Sequence, residues 1–234
     1  MRRTPKLLRT EKSLAVFELD RVSELTDSLL DSLPWPHGGS QLAFRFRGPM
    51  EDVPEALCRN VSPRYVTRIG YVGRSRGIRV PAGGEAPGVR LQIPDDLDSL
   101  KALTRRTLLE SFYEPWRERL SPDFPKEVEA FLSSHLSCAR SAWVVSREGR
   151  VGLINLMRHC DCLGRPLDHI AWVWIHESLS KDERQSARRQ LALWLQGVAK
   201  DWIQAFVHPF NVHSIRFIAR LGFEPACVHV SRHL

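Results

Sequence analysis

Nothing in this chain approaches the roughly 18 to 20 consecutive apolar residues that a membrane-spanning helix needs. A hydrophobic leader is missing too: the basic start Met-Arg-Arg-Thr-Pro-Lys is followed by no apolar core, so no secretory signal is read. The five cysteines (Cys58, Cys138, Cys160, Cys162, Cys227) follow no disulfide-framework spacing, and their odd number points to free thiols. His159-Cys160-Asp161-Cys162 offers soft ligands, but no second Cys/His pair lies at a four-ligand spacing, so no metal is expected. No internal repeat is obvious. These absences together suggest a soluble, cytoplasmic protein without a membrane partner.

What is present is an ordinary globular composition. The 234 residues are 43% hydrophobic, enough for one large domain or two small ones. The net charge of +7 is concentrated early: residues 1–90 hold 15 Lys and Arg against 10 Asp and Glu, whereas the remainder holds 19 against 17. The simplest account is a solvated basic surface. Between Arg64 and Arg79, Tyr65 and Tyr71 alternate with Arg68, Arg74, Arg76 and Arg79, a pattern that single-stranded nucleic acid could use. A half-buried strand with its polar face to water looks the same, so nucleic acid is not an expected partner.

In chain order, residues 1–12 read as a basic tail. Residues 13–87 form an α+β segment of unassigned role. It has a strand Leu-Ala-Val-Phe-Glu-Leu, a helix bearing Val22, Leu25, Leu29 and Leu30, an alternating strand from Leu42, a short helix within Met50–Cys58, and a hairpin or two strands over Tyr65–Val80. Pro-Ala-Gly-Gly-Glu-Ala-Pro-Gly at 81–88 is the best linker. Residues 88–234 then give a strand from Val89, a helix whose apolar face runs from Leu97 to Phe112, and a second helix Phe124–Leu136. A hairpin from Trp143 to Met157 follows, then the nearly continuous apolar strand His169–His176, a long helix Lys181–Trp202, a strand from Ala205 and a last helix and strand. The apolar strand reads as a central one covered on both faces. The segment 14–46 could alternatively be a vestigial half of the same architecture.

Pro209 to Phe223 carries the most specific signal. Asn211 can cap a helix, Ser214, Phe217, Ile218 and Leu221 recur at helical spacing, and Gly222 supplies a left-handed stop before Phe223. Asn followed three residues later by a small residue, then Leu-Gly-Phe, resembles the last helix of the Gcn5-related N-acetyltransferase (GNAT) fold. The element order of 88–234 is similar to that fold. The expectation is therefore a mixed α/β sheet flanked by helices, preceded by the extra N-terminal α+β segment.

The resemblance implies acyl transfer from acetyl-coenzyme A, or another acyl-coenzyme A, to an amine of a small molecule or protein. A homodimer is compatible with it. In that family the central strand splays from its neighbour, and its exposed backbone pairs with the pantetheine arm; here that is Trp174, Ile175 and His176. The next helix meets the pyrophosphate through a glycine-bearing loop, yet no glycine lies between Gly164 and Gly197. Arg184, Arg188 and Arg189 could serve by side-chain charge, or could be a solvated face balanced by Asp182 and Glu183. Asn211 and Ser214 would set the last helix against the cofactor. The family's catalytic carboxylate falls at His169, with Asp168 and His176 as neighbours that could substitute. The usual Tyr acid falls at Ile218, which has no proton to give. The alternative is a degenerate GNAT-like module that binds a protein or nucleic acid and catalyses nothing.

Overall fold

Among the described residues, ten strands form one mixed sheet with helices on both faces, an α/β arrangement. The computed structural model describes residues 5–11, 13–36, 41–50, 52–83, 86 and 88–232. Lys6–Thr10, where the sequence suggests a tail, is an edge strand, β1, antiparallel to β2 (Leu14–Leu19). The helix expected around Val22–Leu30 is split. A 3-10 turn covers Val22–Glu24, and Thr26 then caps a fresh helix, α1 (Asp27–Ser32), by accepting from the Leu29 N–H at 3.3 Å. Next come β3 (Gln41–Phe46), α2 (Val53–Asn60) and β4 (Tyr65–Arg74).

The hairpin expected over Tyr65–Val80 is one ten-residue strand. Its glycines are sites of close approach, not turns: a Cβ on Gly70 would lie 2.6 Å from the Cys227 sulfur, and one on Gly73 would lie 2.6 Å from the Phe223 ring. Tyr65 and Tyr71 are buried in the core, so neither is presented for base stacking.

After the 81–88 connection come β5 (Arg90–Gln92) and α3 (Leu97–Arg106), the latter capped by Asp96. The expected single helix through Phe112 changes character: Thr107–Tyr113 is π-helical and ends in a short turn, α4 (Glu114–Trp116). Then follow α5 (Phe124–Ser134), β6 (Arg140–Ser146), β7 (Gly149–Cys160), β8 (Pro166–Ile175) and α6 (Lys181–Val198). The chain closes with β9 (Trp202–Val207), α7 (Val212–Arg220) and β10 (Glu224–Arg232). The long helix stops at Val198 because Ala199 turns extended and Trp202 already belongs to β9.

The strand order is β1-β2-β3-β10-β4-β9-β8-β7-β6-β5. From β1 to β7 this order is a palindrome, once β1, β2, β3 and β4 are matched with β7, β8, β9 and β10. Each half is an antiparallel pair, a helix, a parallel strand, a helix and a returning antiparallel strand. The last strand of each half inserts into the other: β10 sits between β3 and β4, and β4 sits between β9 and β10. The repeat invisible in the sequence is thus present as topology, and the 81–88 connection joins two parts of one sheet.

One continuous core lies on the face covered by α1, α2, α6 and α7, with Leu30, Leu57, Leu191, Leu195 and Ile218 packed on Phe44, Ile69 and Val228. On the other face α3 and α5 cover β6 to β8 through Leu103, Leu132, Trp143 and Leu153. A small third cluster lies under the β7–β8 turn.

Candidate functional site

β8 and β9 run parallel and pair at Asp168–Ile203, His169–Gln204 and Ile170–Ala205, then separate. The β7 side of β8 remains paired to Ile175, with a bulge next to Ile170. Ala171 to Ile175 therefore present one backbone edge to an opening in the middle of a ten-stranded sheet. All five, with His176, are partly exposed. A strand covered on both faces was expected here; divergence of β9 uncovers its upper half. Trp174, Ile175 and His176 line this edge. The His176 ring accepts the Ser178 N–H on Nδ1 at 3.0 Å, which assigns the ring proton to Nε2.

On the helix side of the opening, α6 begins with a capping box: Ser180 accepts from the Glu183 N–H, and Glu183 accepts from the Ser180 N–H. Two donors of the first turn are thereby occupied, and Asp182 and Glu183 add negative charge. Arg184 donates to the Glu177 carbonyl at 2.8 Å. Arg188 is held below its ordinary range by burial and by the nearby guanidinium groups of Arg220 and Arg184. These three arginines make one positive cluster between α6 and the end of α7. Arg189 points elsewhere, donating to the Pro81 carbonyl at 3.3 Å. Asn211 caps α7 by accepting from the Ser214 N–H at 3.1 Å.

The other face of the opening is aromatic and basic. Phe112, from the π-helical stretch, bridges the gap: its ring centre is 5.6 Å from that of Trp172 on β8 and 5.7 Å from that of His208 after β9. A π-bulge often marks a functional site, and this one carries Thr107, whose hydroxyl accepts from the Trp172 indole N–H at 2.9 Å. The chain of buried bonds continues through Thr104 and Asn155 to Ser141. Trp116 packs on Phe210, and Arg119 stands over both rings.

Arg68 of β4 lies deep in this region, facing His229 across the β4–β10 pair. Burial lowers its guanidinium from the ordinary range, with Glu127 drawing it back. Among the described residues it has no hydrogen bond or ion-pair partner within reach. Burial, with the positive charge of Arg68, pushes both neighbouring histidines down, His169 to about 3 and His208 to about 3. For His169 the nearby His159 contributes as well. Both imidazoles are neutral at neutral pH and poor proton acceptors there.

Asp168 is fully buried and serves structure. It accepts from Arg140 Nη2 and from the Lys200 N–H at 2.8 Å, and it pairs ionically with Arg158 Nη1 at 3.2 Å. Ile218 is buried in the core. Sequence reasoning named Arg68 only within the Arg64–Arg79 pattern and missed Trp172, His208 and Arg220, because each reaches the opening from a different element. The end of the β8–β9 pairing leaves no local signature.

No protein-family model matches the sequence, and no curated protein matches it. Among solved structures, a functionally unknown conserved protein from Staphylococcus epidermidis is similar over 94% of this chain and 84% of its own, with a TM-score of 0.52 at 10% identity. A GCN5-related N-acetyltransferase from Kribbella flavida aligns over 94% and 80%, with a TM-score of 0.43 at 12% identity. The C-terminal domain of a lysylphosphatidylglycerol synthetase from Agrobacterium fabrum aligns over 97% and 83%, with a TM-score of 0.41 at 11% identity. At these identities the likeness concerns the fold alone. The order of β5 to β10 with their helices is the one expected from the sequence of residues 88–234, and β8 parts from β9 beyond Ile170–Ala205.

Proposed function

We propose that this protein transfers an acyl group from an acyl-coenzyme A to an amine. The observation that carries the reading is the parting of β8 from β9 beyond Ile170–Ala205, which leaves the Ala171–Ile175 backbone free to pair with an extended amide-bearing arm. Pantetheine has that chemistry. The phosphates would meet the side chains of Arg184, Arg188 and Arg220 in place of glycine-loop N–H groups. Asn211 and Ser214 fix the start of α7.

The acceptor would approach from the face of Trp172, Phe112 and His208. The field that holds His169 and His208 neutral also disfavours an ammonium ion, so an amine seated there is kept as the free nucleophile. This takes the place of a strong general base. In the transfer the amine nitrogen bonds to the acyl carbon and the carbon–sulfur bond breaks. The nitrogen's proton passes to water, and the thiolate takes its proton from water, since Ile218 has none to give.

A rival reading, a binding module without catalysis, is favoured by the α6 capping box with Asp182 and Glu183 at the helix start. Release of free thiol from acetyl-coenzyme A in the presence of a panel of primary amines tests the proposal. Amine-dependent thiol release supports transfer; tight cofactor binding with no release for any amine supports the rival.

A further inference from the structure

Beneath the β7–β8 turn, three buried side chains from distant parts of the chain converge. Cys162 comes from the turn, and Cys227 and His229 stand two apart on the same face of β10. Their ligand atoms all lie within 4.8 Å of one another. Cys162 is 6%, Cys227 2% and His229 8% exposed. His229 Nε2 is buried and hydrogen-bonded to nothing among the described residues, a cost of about 1–3 kcal/mol if left so.

We propose that Cys162, Cys227 and His229 bind a soft divalent cation, zinc by its chemistry, which staples the β7–β8 turn to β10. Tetrahedral zinc with Zn–S near 2.3 Å and Zn–N near 2.0–2.1 Å places its ligand atoms about 3.5–3.8 Å apart, inside the observed spread. Two thiolates neutralise the ion's charge, and the two thiol protons are released on binding. The imidazole gives the orphaned Nε2 its partner, and water completes the fourth position. Asp161 does not: its oxygens already accept from the Leu163 and Arg165 N–H groups and the Arg165 guanidinium. The Gln204 amide, with Nε2 3.9 Å from the Cys227 sulfur, supplies the outer hydrogen bond that a metal-bound thiolate wants.

The test uses the full chain, reduced and freed of metal, titrated with Co²⁺ as the spectroscopic probe and then with Zn²⁺. The expected result is a sulfur-to-cobalt charge-transfer band with tetrahedral visible bands, saturating at one equivalent and erased by Zn²⁺. It is retained in C160S, whose thiol is exposed, lost in C162S and C227S, and weakened at least tenfold in affinity in H229Q. Three results would overturn the proposal. They are the absence of a thiolate band, a band that survives C162S and C227S, and a Cys162–Cys227 disulfide in a chain that takes no Co²⁺ when reduced. Because H229Q keeps both thiols, it remains informative if a cysteine variant fails to fold.

Discussion

Ile170 on β8 and Ala205 on β9 are the last residues of the two strands to face each other. Beyond them the sheet opens, and the features that could serve an acyl-coenzyme A lie around the gap: a free strand edge, an arginine cluster on one side and an aromatic, basic wall on the other.

The arginine cluster separates residues that look equivalent in sequence. R188A should weaken acetyl-coenzyme A binding by about tenfold or more, in line with a charge-assisted bond of about 1.5–3 kcal/mol. It should also slightly raise the melting temperature without ligand, since Arg188 sits against Arg184 and Arg220. R189A should leave affinity unchanged, because its guanidinium is turned to the Pro81 carbonyl. Calorimetry on both variants checks the contrast.

Asp168 anchors the base of β8. D168A removes the buried carboxylate that Arg140, Arg158 and the Lys200 N–H share. The arginines left behind are over a third exposed, so the expected loss is about 1–3 kcal/mol of stability, measured by urea unfolding. A variant as stable as the parent would show that the pair contributes nothing.

His169 and His208 give a pH signature. Each has an ordinary value of 6.5 and is pushed to about 3 in the fold. The unfolded chain therefore binds more protons below 6.5, so stability is full above that pH and falls as pH drops toward 3. Each group contributes a slope of at most about 1.4 kcal/mol per pH unit. Urea midpoints between pH 4 and 8 should show the fall, and H208Q should flatten part of it.

Thr107 holds Trp172 at the gap. T107V keeps shape but leaves the indole N–H without its acceptor, at a cost of about 1–3 kcal/mol. Altered Trp fluorescence and slower acyl transfer are expected together.

The topology makes a further prediction. A fragment of residues 88–234 lacks β4, which pairs with both β9 and β10. It should be unfolded or insoluble alone and recovered by co-expression with residues 1–80. A soluble, cooperative fragment would contradict the strand exchange.

Much of the fold was legible because periodicity is local: Asn211 to Gly222 announces a capped and terminated helix, and the strand–helix order of 88–234 follows from similar patterns. The elements of the N-terminal half were legible in the same way, but their likeness to the C-terminal half, raised only as an alternative for 14–46, is one of strand order, which shares no residues. A hairpin or two strands were expected over Tyr65–Val80, where Gly70 and Gly73 instead answer a long-range demand for close approach. Of the site, the β8 edge and Arg184 and Arg188 could be found along one segment. Arg68 and His208 could not, since only the β4–β9 and β4–β10 pairings bring them in. Cys162 was read only beside His159 and Cys160, because its partners Cys227 and His229 lie on a distant strand.

The most direct test of the account is titration calorimetry of the full chain with acetyl-coenzyme A. The account predicts one-site binding at micromolar affinity, weakened by R188A and untouched by R189A. No binding of acetyl-coenzyme A or of any longer acyl-coenzyme A would contradict it.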